Sequence, residues 1–174
     1  DIMAGRPYTD ITSDPADYLI ISHADFIDEL DQLVLARQAD GFTVKSVDVA
    51  DVYAQFSHGI FDPQAIKDYV AHAVNNMGTA YVLLVGGDTY DYRDYLGSGG
   101  MSFIPSFYAS TGPESQFVPV DPMFADTDDD GIPDDVALGR FPVRNSEELG
   151  YMIAKTLAYA TKSYNETALF AADD

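Results

Sequence analysis

Tyr81-Val82-Leu83-Leu84-Val85-Gly86-Gly87-Asp88 is an unbroken apolar run closed by two glycines and a carboxylate. No polar residue alternates through it, so it reads as a strand buried on both faces, the kind found inside a parallel sheet. The segment before it carries Ile66, Tyr69, Val70, Ala73, Val74 and Met77, an apolar stripe at helical spacing. Asp62-Pro63 supplies an N-cap and a first-turn proline for that helix, and Gly78 its end. Further upstream, Tyr18-Leu19-Ile20-Ile21 is a second short apolar run. A helix with Phe26, Leu30, Leu33 and Val34 follows it, Gly41 caps that helix, and residues 43–49 form another strand. A short helix is expected over 52–56.

Strand, helix, strand, helix, strand with short connections makes right-handed crossovers, hence a mostly parallel sheet flanked by helices: an α/β three-layer sandwich. Downstream, residues 88–120 are irregular and rich in Gly, Ser, Pro and Tyr, with short strands or a surface excursion expected around 103–108. Val136-Ala137-Leu138 reads as a further buried strand. Asn145 and Glu148 form a capping box for a helix bearing Leu149, Met152, Ile153, Leu157 and Ala160. Ala168-Leu169-Phe170-Ala171 reads as a last strand. A parallel strand ordinarily leads into a helix and none follows, so the expectation is a chain cut where a larger sheet continues. Residues 1–16, with Gly5, Pro7 and Pro15, read as a linker or edge segment, and residues 17–174 as the α/β unit. The first residue is Asp1, which suggests a piece of a longer polypeptide.

The 174 residues fit one domain. The formal charge is −20, from 29 acidic and 9 basic residues. A field of that sign repels phosphates and anionic lipids, which argues against nucleic-acid and membrane partners and suits divalent cations and extracellular surroundings. With 12 Tyr and 10 Phe, the chain is no acidic disordered tail. There is no cysteine, so neither a disulfide nor a thiol nucleophile. No apolar run approaches the roughly 18 residues of a membrane-spanning helix.

The clearest chemical motif is Asp126-Thr127-Asp128-Asp129-Asp130-Gly131-Ile132-Pro133-Asp134-Asp135. Carboxylates stand at positions 1, 3 and 5, glycine at 6, and carboxylates again at 9 and 10. Calcium takes six to eight hard oxygen ligands, which Asp126, Asp128, Asp130, the carbonyl of Ile132, Asp134 and Asp135 are placed to supply. The EF-hand glutamate is missing, since position 12 is Ala137. Asp121 is a further possible donor; an ion-free acidic turn is the plain structural alternative. His23 and Asp88 follow strands at their carboxyl ends, where open α/β sheets place ligands, and are candidates to line a cleft; a loop or cap histidine and a structural turn are the plain alternatives. His58, in a Ser-His-Gly turn, and His72, on the polar side of a helix, read as structural. Arg140 reads as an internal salt bridge first and a substrate contact second. No phosphate-binding glycine loop and no metalloprotease motif occurs. Asn165-Glu166-Thr167 matches a glycosylation sequon, a pattern too short to use.

The order of these motifs resembles the opening of the gingipain (C25) peptidase family. The resemblance is carried by Tyr18-Leu-Ile-Ile, Gly41-Phe-Thr-Val, Tyr81-Val-Leu-Leu-Val-Gly-Gly-Asp88, Asp121-Pro-Met-Phe-Ala-Asp126 with the acidic loop, and above all Ala137-Leu-Gly-Arg-Phe-Pro-Val143. It implies a Rossmann-like, caspase-like catalytic domain of two α/β subdomains, bound calcium, and a Cys–His dyad in the second subdomain. No catalytic residue carries over, because neither Gly-His-Gly nor any Cys is present. The expectation is the N-terminal subdomain of a secreted or cell-surface cysteine endopeptidase, bacterial or archaeal. It would be calcium-stabilised, inactive alone, and partnered by the second subdomain and by protein or peptide substrates. The alternative is a non-catalytic calcium-binding scaffold of the same fold. A receiver domain of flavodoxin-like topology would need an acidic pair where Ser22-His23 stand.

Overall fold

The computed structural model describes residues 8–160. The expected strand 168–171 and the sequon 165–167 lie outside the described residues. The main sheet contains β1 (Tyr18–Ser22), β2 (Val44–Asp48), β3 (Tyr81–Val85) and β6 (Ala137–Phe141) in the order β2-β1-β3-β6, every pair parallel. Two further strands, β4 (Tyr108–Ala109) and β5 (Val118–Pro119), pair antiparallel outside it.

Because successive side chains of a strand point to opposite faces, each strand feeds two cores. Leu19, Ile21, Val82 and Leu84 pack with Ile66, Tyr69, Val70 and Ala73 of α4 (Pro63–Met77) and with Val52 of α3 (Val49–Phe56). Ile20, Leu83, Val85 and Phe141 pack on the other face. There they meet Phe26 of α1 (Ala24–Ile27), Leu33 of α2 (Asp31–Ala39), and Leu149 and Ile153 of α5 (Ser146–Ala160). The three-layer α/β sandwich is therefore as the apolar runs require.

The helix ends follow their signals. Asp62 Oδ1 accepts from Gln64 N at 2.9 Å with Pro63 at the first position, and Gly78 closes α4 at φ 78°. Asn145 Oδ1 accepts from Glu148 N at 2.9 Å, while the Glu148 carboxylate reaches back to Arg144 N at 2.7 Å. Several features differ from expectation. Residues 102–107, where short strands were expected, are irregular, and the short strands are instead β4 and β5; the helix expected over 52–56 begins at Val49. The single helix expected over 26–34 is two, α1 and α2. One uninterrupted helix would stack Asp25, Asp28, Glu29 and Asp31 at repulsive three- and four-residue spacings; the break puts Asp31 in a new first turn, where the helix dipole favours it. The strand expected over 136–138 runs from Ala137 to Phe141, so Arg140 lies within β6. Residues 8–16 have no regular structure, yet Ile11 and Ala16 are buried, and the Tyr69 hydroxyl donates to the Ile11 carbonyl at 3.0 Å.

Candidate functional site

The carboxyl ends of the strands form one rim of the sheet, and a covering segment, residues 102–106, passes over the end of β3. Gly86 makes this passage possible: a Cβ there would lie 2.7 Å from Phe103 Cβ and 2.9 Å from Ile104 Cγ1. Two charged residues pin the segment down. Asp88, the first carboxylate after β3, accepts from Thr89 N at 2.7 Å, Ser106 N at 2.8 Å, the Tyr108 hydroxyl at 2.7 Å, and the Ser102 hydroxyl. Burial first, then the hydrogen bond to Asp88, push the Tyr108 hydroxyl pKa above its ordinary range, so it stays a proton donor.

Arg140 performs the second fastening. Its Nε and one terminal nitrogen donate to the two Asp121 oxygens at 2.6 and 2.8 Å, a bidentate pair. The rest of the guanidinium donates to the carbonyls of Gly86 at 2.9 Å, Ile104 at 2.7 Å and Pro105 at 3.2 Å, and to the Ser106 hydroxyl at 3.2 Å. Arg140 is thus an internal tie between β6, the end of β3 and the covering segment. Asp121, a possible calcium donor on sequence grounds, is committed to it.

Beside this tie lies a groove of about 610 Å³. Phe61 and Pro63 from the start of α4 form one side, Tyr90 and Tyr92 another, and Pro105, Tyr108 and Phe117 the third; Asp88 is in the wall. Phe61 and Tyr92 stack at 5.3 Å and 10°, the Arg93 guanidinium stands 5.3 Å from the Tyr92 ring centre, and Tyr53 backs Phe61 at 5.5 Å. His23 is not in this wall. Its Nδ1 accepts from Asp25 N at 3.2 Å and so caps α1, and its ring meets Phe103 edge-on at 5.1 Å. His72 Nε2 pairs with the Thr12 carbonyl at 3.1 Å, and His58 occupies a turn at φ 56°. The groove's aromatic residues escaped sequence reading. The only available signal was the concentration of tyrosine in 88–120.

The acidic loop leads from the 3-10 turn Asp121–Phe124 into β6. Of the six residues proposed as ligands, it brings together Asp126, Asp128 and Asp135, whose nearest carboxylate oxygens all lie within 4.8 Å of one another. Asp130 instead accepts from Ile132 N at 2.7 Å, the Ile132 carbonyl accepts from Asp134 N at 2.9 Å, and Asp134 is not in the cluster. Asp135 Oδ2 accepts from Thr127 N at 2.7 Å and Oγ1 at 2.8 Å, which lowers its pKa below the usual carboxylate value. Lys67, 6% exposed on α4, lies 3.7 Å from Asp126 and 2.5 Å from Asp129. Burial alone would lower its pKa, but the hydrogen bond and charge of Asp129 with the charge of Asp126 outweigh that and keep it raised. Nothing local marks this lysine as facing the loop, because its partners are about sixty residues away.

The model of peptidase family C25 matches residues 11–174. The chain belongs to peptidase family C25. Among solved structures, it is similar to the dimeric latent PorU from Porphyromonas gingivalis at 24% identity, with a TM-score of 0.72, over 84% of this chain. The chain spans 16% of the length of that PorU chain. No curated protein matches it. The likeness to PorU is one of fold, the caspase-like α/β sandwich expected from the motif order. In this C25 chain the segment Ala137-Leu-Gly-Arg-Phe-Pro-Val143, on which the resemblance chiefly rested, is β6 with its rim, and Arg140 within it is the tie described above.

Proposed function

We propose that this C25 chain is the N-terminal subdomain of a secreted or cell-surface cysteine endopeptidase whose Cys–His dyad belongs to a second subdomain of the same polypeptide. The observation that carries the reading is the family match across 11–174 on a chain with no cysteine. A thiolate nucleophile needs a base within hydrogen-bond reach. His23 and His72 are held in structural hydrogen bonds, and His58 sits in a turn. This chain's part is then to support the neighbouring sheet and to offer one wall of the substrate cleft, with Asp88 in that wall.

The test compares two preparations on unfolded protein and peptide substrates. The 174-residue chain should turn over neither. The full reading frame containing it should cleave both and lose activity on alkylation by iodoacetamide. Hydrolysis by the chain alone, or a thiol-independent parent, sinks the reading; a parent inert on every peptide favours a non-catalytic scaffold of the same fold.

Calcium is the second part of the proposal. Asp126, Asp128 and Asp135 offer clustered hard oxygens of the kind calcium takes, and neighbouring carboxylates repel one another without a cation. An ion would add to the partial neutralisation that Lys67 already gives. At a calcium concentration about a hundredfold above Kd, linkage predicts about 2.7 kcal/mol of stabilisation. That corresponds to a rise of roughly 5–10 °C in the melting midpoint of a chain this long. Chelator should reverse the rise and Asp128→Asn abolish it. An unchanged midpoint on adding calcium removes calcium from the proposal.

A further inference from the structure

We propose that the aromatic groove on the rim is a subsite for a large apolar side chain, aromatic or long aliphatic, of a polypeptide whose flanking residues are basic. The inference rests on the peptidase reading for one thing alone, the choice of a polypeptide as ligand class. The wall gives the rest.

The groove is concave and preformed. Its volume of about 610 Å³ lies within the range of about 300–1,000 Å³ that is usual for ligand sites. Phe61 is fixed by Tyr92 on one side and Tyr53 on another, and Tyr108 is fixed by its hydroxyl on Asp88. Rings held in place lose little freedom when a ligand arrives, so contact with them is available for binding. Tyr90 at 67% and Phe117 at 75% exposure stand at the mouth, free to cover whatever enters.

The chemistry of the wall disfavours a charged ligand group. Asp88 already accepts four hydrogen bonds. The Ser106 hydroxyl donates to Asp121 at 2.9 Å, the Tyr108 hydroxyl donates to Asp88, and Thr89 Oγ1 accepts from Asp91 N at 3.3 Å. A charged side chain would lose its water here and find no opposite charge left unpaired in the wall. An apolar group loses nothing and gains ring contacts. A basic side chain is accordingly not what the groove itself takes, although the chain's charge of −20 favours basic residues on either side.

The test is binding to the 174-residue chain, which keeps it separate from any assay of thiol-dependent hydrolysis. The probes are fluorescein-labelled, acetylated hexapeptide amides: one with phenylalanine between lysines, one with alanine in its place, and one with phenylalanine between glutamates. Anisotropy should show the phenylalanine–lysine peptide binding at least about tenfold more tightly than the other two. Phe117→Ala and Tyr90→Ala touch only the mouth and should each weaken it several-fold with the unfolding midpoint unchanged. Equal binding of the phenylalanine and alanine peptides, or none, overturns the subsite. Equal binding of the glutamate-flanked peptide overturns the charge preference, and binding of free indole as tight as that of the peptide overturns the polypeptide ligand. Since no hydrolysis is read, an inactive parent leaves this result standing, and failed binding leaves the peptidase reading standing.

Discussion

Arg140→Met should destabilise the chain by about 2–4 kcal/mol, somewhat less than removing one partner costs in a fully buried ion pair, because this one is part-buried. The Arg140 side chain is 10% exposed and that of Asp121 26%. Methionine fills most of the space but donates nothing. It strands the Asp121 carboxylate and the carbonyls of Gly86, Ile104 and Pro105, each of which gave up water for the guanidinium. Arg140→Lys should fall between the two, since an ammonium cannot reproduce the planar fork that meets both Asp121 oxygens. Urea unfolding followed by circular dichroism measures the difference. A loss below about 1 kcal/mol, the level of an exposed ion pair, would show that the tie carries no weight.

Gly86→Ala should cost roughly 2–6 kcal/mol, from two sources. The added methyl meets Phe103 Cβ at 2.7 Å and Ile104 Cγ1 at 2.9 Å, and overpacking of this kind costs about 1–3 kcal/mol. The backbone at φ 144° is also one that residues with a side chain rarely adopt, worth about 1–3 kcal/mol more. Gly112 separates the two sources. It has φ 159°, close to that of Gly86, and nothing within 4 Å of its would-be Cβ, so Gly112→Ala carries the backbone cost alone. Equal losses at the two glycines, measured by the same unfolding series, would mean that the covering segment does not press on the end of β3. A larger loss at Gly86 would also place that segment, and with it the Pro105 and Tyr108 wall of the groove, under the control of one glycine.

The strands 18–22, 44–48 and 81–85 were readable because their apolar content is continuous in sequence, and α4 because a cap, a proline and a terminal glycine bracket its stripe. β6 was read short. Gly139 and Arg140 interrupt its apolar run, and nothing local announces that the acceptors waiting for the arginine come from residues 86, 104, 105 and 121. The acidic loop was legible as composition but not as geometry. Six closely spaced oxygens suggested six ligands, whereas Asp130 and the Ile132 carbonyl are taken up in local turns, Asp134 lies apart, and Lys67 supplies a cation from another element.

By itself, the sequence determined the α/β class, the parallel sheet, the absence of a thiol, the strongly negative field and the family, because each follows from local periodicity, composition or motif order. Tertiary structure alone decided that Asp88 is saturated, that His23 caps a helix outside the groove, and that five aromatic rings from three separate stretches converge into one apolar groove. Convergence of this kind depends on how far the chain travels between contacts, and no spacing within a single element records it.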